Sequence, residues 1–162
     1  MTQVDKLNTL VNQLENKLKH MIFNPSIEKL SKNDFQIETA REKNLKRIHE
    51  LFLTLKIDEK HIDFDTIFEY KAMNLSAIGL KDEDFAQIRK GKYVQIISIA
   101  NVVTSHGQLY TKNISLGYYG KVELLETQLK NQIIEFVLRW RYEKSFQQSL
   151  HYEKLLSKLK SQ

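Results

Sequence analysis

Apolar residues recur at Val4, Leu7, Val11, Leu14, Leu18 and Met21, at spacings of 3, 4, 3, 4 and 3. That period places them on one stripe of a helix and repeats as a heptad seam, so it predicts a helix over residues 2 to 22. Asn24 and Pro25 end it, because the residue before proline is pushed out of the helical region and proline itself offers no N–H to the ladder. After a loop, Ser31 with Asp34 resembles a capping box with aspartate in the usual glutamate place. Leu45, Ile48, Phe52 and Leu55 then give a second helix its apolar face, ending near Lys56. Residues 1–57 read as a helical hairpin.

Over residues 58–91 the pattern predicts shorter helices. One carries Phe64, Ile67, Phe68 and Met73; another runs from Asp82 to Lys90 and stops at Gly91. The period then changes. Lys92 to Thr104 is dense in β-branched residues, which suit a pleated surface, and Ser105, His106 and Gly107 offer a turn before Gln108 to Leu116. Residues 92–116 thus read as a β-hairpin. Val94, Ile96, Ala100 and Val102 share one side; Tyr93, Gln95, Ile97, Ile99, Asn101 and Val103 share the other. In the second strand Tyr110, Ile114 and Leu116 alternate with Thr111, Asn113 and Ser115, as expected of an edge or solvent strand. A hairpin of two strands is marginal alone in water, so it must pack on helices or on another subunit.

From Val122 the apolar positions Leu125, Leu129, Ile133, Phe136 and Trp140 follow at 3, 4, 4, 3 and 4, predicting one long helix over 120–160. Such a helix extends roughly 60 Å. Its stripe needs a cover, either the N-terminal seam in an antiparallel bundle or a twin subunit, and the reading taken is a bundle that dimerises. The leucines at 155, 156 and 159 are expected inside that bundle, although with Lys154, Lys158 and Lys160 they also suit a membrane-surface helix. The fold class is α+β, mainly an α-helical bundle with one β-hairpin and a long C-terminal helix.

Length changes this picture little: 162 residues is near the commonest size of one domain, so 1–162 reads as a single domain. Absence of cysteine excludes disulfides and thiolate metal sites and points to a reducing compartment. Asp5, Lys6, Glu15, Lys17 and Lys19 interrupt the first twenty residues, unlike a signal peptide, and no apolar stretch approaches a membrane span. The expectation is a cytoplasmic protein with no membrane segment.

Charge is more informative. Residues 61 to 84 hold six acids against two lysines, whereas Phe85 to Val122 holds none against Arg89, Lys90, Lys92, Lys112 and Lys121. An acidic segment therefore abuts an acid-free basic one that contains the strands. A net charge of +5 adds a general preference for acidic or polyanionic partners.

The chemistry of catalysis finds little here. The histidines at 20, 49, 61, 106 and 151 match no metal motif. His61, Asp63 and Asp65, and separately Lys81 to Asp84, suit helix entrances better than ions. Five glycines fit no phosphate loop, and no nucleophile motif occurs. The reading is non-catalytic, without cofactor or metal. Nucleic-acid binding is better supplied: lysine and arginine displace counterions from phosphate, and Gln, Asn and Thr reach base edges. The nominated contacts are Arg89, Lys90, Lys92, Gln95, Asn101, Thr111, Lys112, Asn113 and Lys121. Tyr118 and Tyr119, with Arg139 and Arg141, form a second basic-aromatic set. Trp140 between those arginines continues the apolar stripe and belongs to the core. The favoured function is a nucleic-acid-associated binding protein acting through its basic hairpin, with an acidic protein surface as the other partner class. The alternative is a protein-interaction module, an adaptor or inhibitor, docking through its long amphipathic helices. Asp82, Glu83 and Asp84 decide between them if they neutralise the hairpin cations.

Overall fold

The computed structural model describes residues 2–22, 32–60 and 62–161, and the side chains of these other than 18–22 and 32–33. Contacts divide the chain into two compact units, Met1–Ala40 and Arg41–Gln162. The architecture is mixed α+β, with three long helices and a three-stranded antiparallel sheet.

In the first unit, α1 (Gln3–Ile22) opens on a reciprocal cap. The Asp5 N–H donates to Thr2 Oγ1 at 3.2 Å while the Thr2 N–H donates to Asp5 Oδ2 at 3.0 Å. The Thr2 hydroxyl, which donates to Asp5 Oδ2 at 2.7 Å, and after it the Thr2 N–H hold the Asp5 carboxyl below the usual carboxylate range. The predicted seam is present, and Val4, Leu7, Val11 and Leu14 are exposed along it. The proline break, the Ser31 half of the capping pair, and Leu18 and Met21 of the seam lie outside the described residues or side chains. α2 (Lys32–Thr54) begins in this unit and continues into the second.

The second unit is built on the sheet, ordered β1 (Ala72–Leu75), β2 (Tyr93–Val103) and β3 (Leu109–Lys121). Val94, Ile96 and Leu116 point inward and are fully buried, joined by Met73. Against them pack Ile48, Leu51, Phe52 and Leu55 of α2 and Ile133, Phe136, Val137 and Trp140 of α3 (Thr127–Leu159). The α3 stripe is thus covered within this unit. Its C-terminal turns are different: every described residue from Gln148 on is exposed, including Leu155, Leu156 and Leu159. Within this unit those leucines are not part of the buried core.

Residues 58–91 depart most from the sequence pattern. Short 3₁₀ helices form at Asp58–Lys60 and Phe64–Glu69, but Met73 sits in a strand, not a helix. Four residues carry too little periodicity to announce a strand; what makes β1 is β2, which extends past it and offers a free edge. The expected helix over 82–90 is a folded turn instead. Gly79 N–H donates to Gln87 O and Arg89 N–H to Ala77 O, each at 2.8–2.9 Å, and the Asp84 carboxylate accepts the Lys81 N–H. A Cβ on Gly79 would lie 2.2 Å from the Asp84 carbonyl, so this close crossing requires glycine.

The hairpin is longer than its pattern implied, because β3 runs through Gly117–Gly120 to Lys121. Two register shifts against β2 absorb the extra residues. One of them lets Tyr119 turn inward, where its hydroxyl donates to the Leu55 carbonyl at 3.0 Å and burial pushes the phenol well above its ordinary pKa.

Three donors from consecutive turns of α3 take carbonyls of the irregular segment before and within β1. Trp140 Nε1 donates to Ile67 O at 2.8 Å, Lys144 Nζ to Phe68 O at 2.8 Å, and the Arg141 guanidinium to Met73 O at 3.0 and 3.2 Å. A chain stretch too short for its own ladder is thereby satisfied by side chains. Deeper in the unit, Glu143 is buried and pairs with Arg41 at 2.5 Å.

Candidate functional site

Alternation along β2 gives the sheet a second face, away from the core. Cross-strand partners in an antiparallel pair share a face, so the register fixes its membership. Tyr93 stands opposite Lys121, Gln95 opposite Tyr118, Ile99 opposite Asn113 and Asn101 opposite Thr111. β1 adds Ala72 beside Ile99 and Asn74 beside Ile97. No strand position on this face is an aspartate or glutamate. The face is open: Tyr93 and Tyr118 are more than half exposed, and Asn74, Asn101, Thr111 and Asn113 are exposed. The two tyrosine rings stack with centroids 6.0 Å apart and planes inclined by 24°. A π-surface next to an ammonium and a row of amides and hydroxyls is suited to a ligand with both rings and phosphates.

Seven of the thirteen residues nominated from the sequence do not join this surface. Lys112 stands opposite Ala100 and so projects from the reverse face of the hairpin. Arg89 pairs with Asp84 at 3.6 Å, one instance of the internal neutralisation that the adjacent acidic segment suggested. Lys90 and Lys92 flank Gly91, whose N–H donates to the Glu123 carboxylate, so an acid just beyond the acid-free stretch returns to it in space. Neither lysine makes an ion pair among the described residues. Tyr119 belongs to the core for the reason given above. Arg139 bonds Glu135 at 2.7 Å and the Asn44 side chain at 3.1 Å, and Arg47 takes the same carboxylate from α2. The two guanidiniums hold Glu135 below the usual carboxylate range, Arg47 contributing most. Arg141 is fixed on the Met73 carbonyl. The basic-aromatic pair around Trp140 is therefore structural in its contacts.

Gln95, Asn101, Thr111, Asn113, Tyr118 and Lys121 are brought together. Tyr93 completes the surface and was not nominated, although its strand parity with Gln95 and Asn101 already placed it on that side. Its pairing with Tyr118 depends on the register shift between Val94 and Gln95, which no local pattern announces. Among the described residues, no cluster of three or more His, Asp or Glu has a metal-binding arrangement, and no helix is long and apolar enough to cross a membrane. His61 lies outside the described residues. Scans against family models, curated proteins and solved structures return no match to this chain.

Proposed function

We propose that this chain is a non-catalytic nucleic-acid-associated binding protein, acting through the open face of its sheet. The observation that carries the reading is an acid-free face on which a stacked, exposed tyrosine pair stands in register with Lys121. Single strands fit it best, since unpaired bases stack on aromatic rings without regard to sequence while lysines track the backbone. Gln95, Asn101, Thr111 and Asn113 continue the surface toward the hairpin tip, and their amides and hydroxyls are groups of the kind that bond base edges or sugars. Lys90 and Lys92 extend the positive rim, and Lys112, on the reverse face, is left out of the surface. A cysteine-free, basic chain suits the reducing cytoplasm where such ligands occur.

Fluorescence anisotropy with labelled single- and double-stranded oligonucleotides at two salt concentrations tests this. Tyr118→Ala is expected to weaken single-strand binding roughly 5- to 100-fold, the equivalent of one stacked base. Lys121→Gln is expected to weaken all sequences alike and lower the log–log salt slope by about one. Binding that ignores both substitutions, or no binding at low salt, would remove the sheet face from consideration.

A second reading, the interaction module, rests on α1. Val4 and Val11 fall at one core position of its heptads and Leu7 and Leu14 at the other, and all four are 44–64% exposed. β-branched residues at the first position with leucine at the second favour a two-stranded parallel coiled coil, so the occupant is a second copy of the helix. Light scattering at tens of micromolar is then expected to report a dimer for the native chain and a monomer for Leu7→Asp/Leu14→Asp. A native monomer ends this reading and leaves the sheet face untouched.

A further inference from the structure

Where α3 passes the free edge of β1, the second unit carries a hollow of about 470 Å³. Lys71, Arg141, Lys144, Gln148 and His151 are among the residues that line it together with the Trp140 ring, and none of the described lining residues is an aspartate or glutamate. Positions 141, 144, 148 and 151 follow at 3, 4 and 3, the spacing of one helical face, and Lys71 comes in from the residue before β1.

Two of these cations are held in place by neutral partners. Arg141 donates Nε and Nη2 to the Met73 carbonyl, and Lys144 donates to the Phe68 carbonyl while its ammonium sits 5.6 Å from the Trp140 ring centroid. A carbonyl fixes a cation without cancelling its charge. The guanidinium keeps the protons of Nη1, and the ammonium keeps two of its three. None of Lys71, Arg141 and Lys144 makes an ion pair among the described residues. Elsewhere in this unit the arginines Arg41, Arg47, Arg89 and Arg139 are each matched to a carboxylate, which sets Arg141 apart from them among the described residues. Like charges gathered in a concavity focus the potential and favour an anion of more than one charge. The hollow is open to solvent, with Lys71, Arg141, Gln148 and His151 exposed, and donors already held in position cost little ordering when a ligand arrives.

We propose that this hollow binds a diphosphate-bearing small molecule, with Arg141 and Lys144 holding the phosphoryl oxygens, Lys71 and His151 closing the sides, and the Trp140 edge forming the apolar floor. Arg141 Nη2 also meets Asn74 Oδ1 at 3.4 Å, at the margin of the sheet face, but none of the residues lining the hollow is among those proposed there to contact nucleic acid, so either reading can fail alone.

Trp140 is the sole tryptophan, which makes its emission a local reporter. Inorganic pyrophosphate titrated into the full chain is expected to change that emission saturably, with half-saturation below about 1 mM at low salt. Lys71 and His151 are the residues to remove, because neither supports a backbone carbonyl. Lys71→Gln/His151→Gln is expected to keep the native melting curve and raise the half-saturation roughly tenfold or more. Tyr118→Ala is expected to leave it within twofold. The proposal is overturned if pyrophosphate does no more than chloride at equal ionic strength, or if the double variant titrates like the native chain.

Discussion

Replacing Trp140 by alanine is expected to bring the second unit close to its unfolding threshold. The indole is only 3% exposed and sits in the cluster formed by α2, α3 and the inner face of the sheet. Removing a buried aromatic ring typically costs about 3–5 kcal/mol, because lost transfer energy adds to the cavity left behind. A second loss follows from the ring nitrogen. Its bond to the Ile67 carbonyl is buried, and an orphaned acceptor in such a place costs a further ~1–3 kcal/mol. Total stabilities of about 5–15 kcal/mol leave little after that. Trp140→Phe separates the two effects: it keeps most of the packing and gives up the hydrogen bond, so its expected cost is the smaller ~1–3 kcal/mol alone. Urea unfolding followed by far-ultraviolet circular dichroism measures both. A cost for Trp140→Ala under about 1.5 kcal/mol would mean that the ring is not packed as described.

The contrast between these substitutions also shows what the amino-acid pattern contains. That Trp140 faces inward was legible, because it continues the run from Leu125 through Ile133 and Phe136 at helical spacing. That its nitrogen meets Ile67 was not, since the two are 73 residues apart and the carbonyl belongs to a 3₁₀ turn without repeating pattern. The same division runs through the molecule. α1, the buried part of α3 and both faces of β2 follow from local periods of 3.5, 3.6 and 2. β1 does not, because it is a strand only by virtue of β2 beside it.

At the candidate site the strand parity of Gln95, Asn101, Thr111 and Asn113 was readable, whereas the membership of Tyr118 and the loss of Tyr119 depend on bulges whose positions are set by packing. Lys112 shows the hazard most directly. One residue of parity moves a side chain to the opposite face, so grouping it with Thr111 and Asn113 by proximity in sequence joined two different surfaces. Charge behaved likewise. The acid-free stretch is real along the chain, yet Asp84 and Glu123 reach it from either side in space. The cationic hollow is harder still to foresee, because Lys71 comes to it from a segment 70 residues before its partners on the helix.

Arg41→Ala is expected to destabilise the second unit by about 3–5 kcal/mol, the usual consequence of leaving a buried charge without its partner. Glu143 is 1% exposed, Arg41 donates Nη2 to its Oε1 at 2.5 Å and Nε to its Oε2 at 3.4 Å, and beyond Arg41 the Gln147 amide adds a long bond at 3.4 Å. With the guanidinium gone, the carboxylate has neither water nor cation. The reverse substitution is milder. Glu143→Gln removes the charge from the inaccessible side, while Arg41, 20% exposed and lying against the Phe146 ring, keeps a route to solvent. The expected order is therefore Arg41→Ala well above Glu143→Gln in cost. Replacing both residues by methionine is expected to recover most of the loss, since an apolar pair of similar length needs no compensation. Denaturant unfolding of the three variants at neutral pH decides the matter. Equal costs for Arg41→Ala and Glu143→Gln, within about 0.5 kcal/mol, would show that the pair behaves as a hydrated surface contact and that Glu143 finds water when its partner leaves.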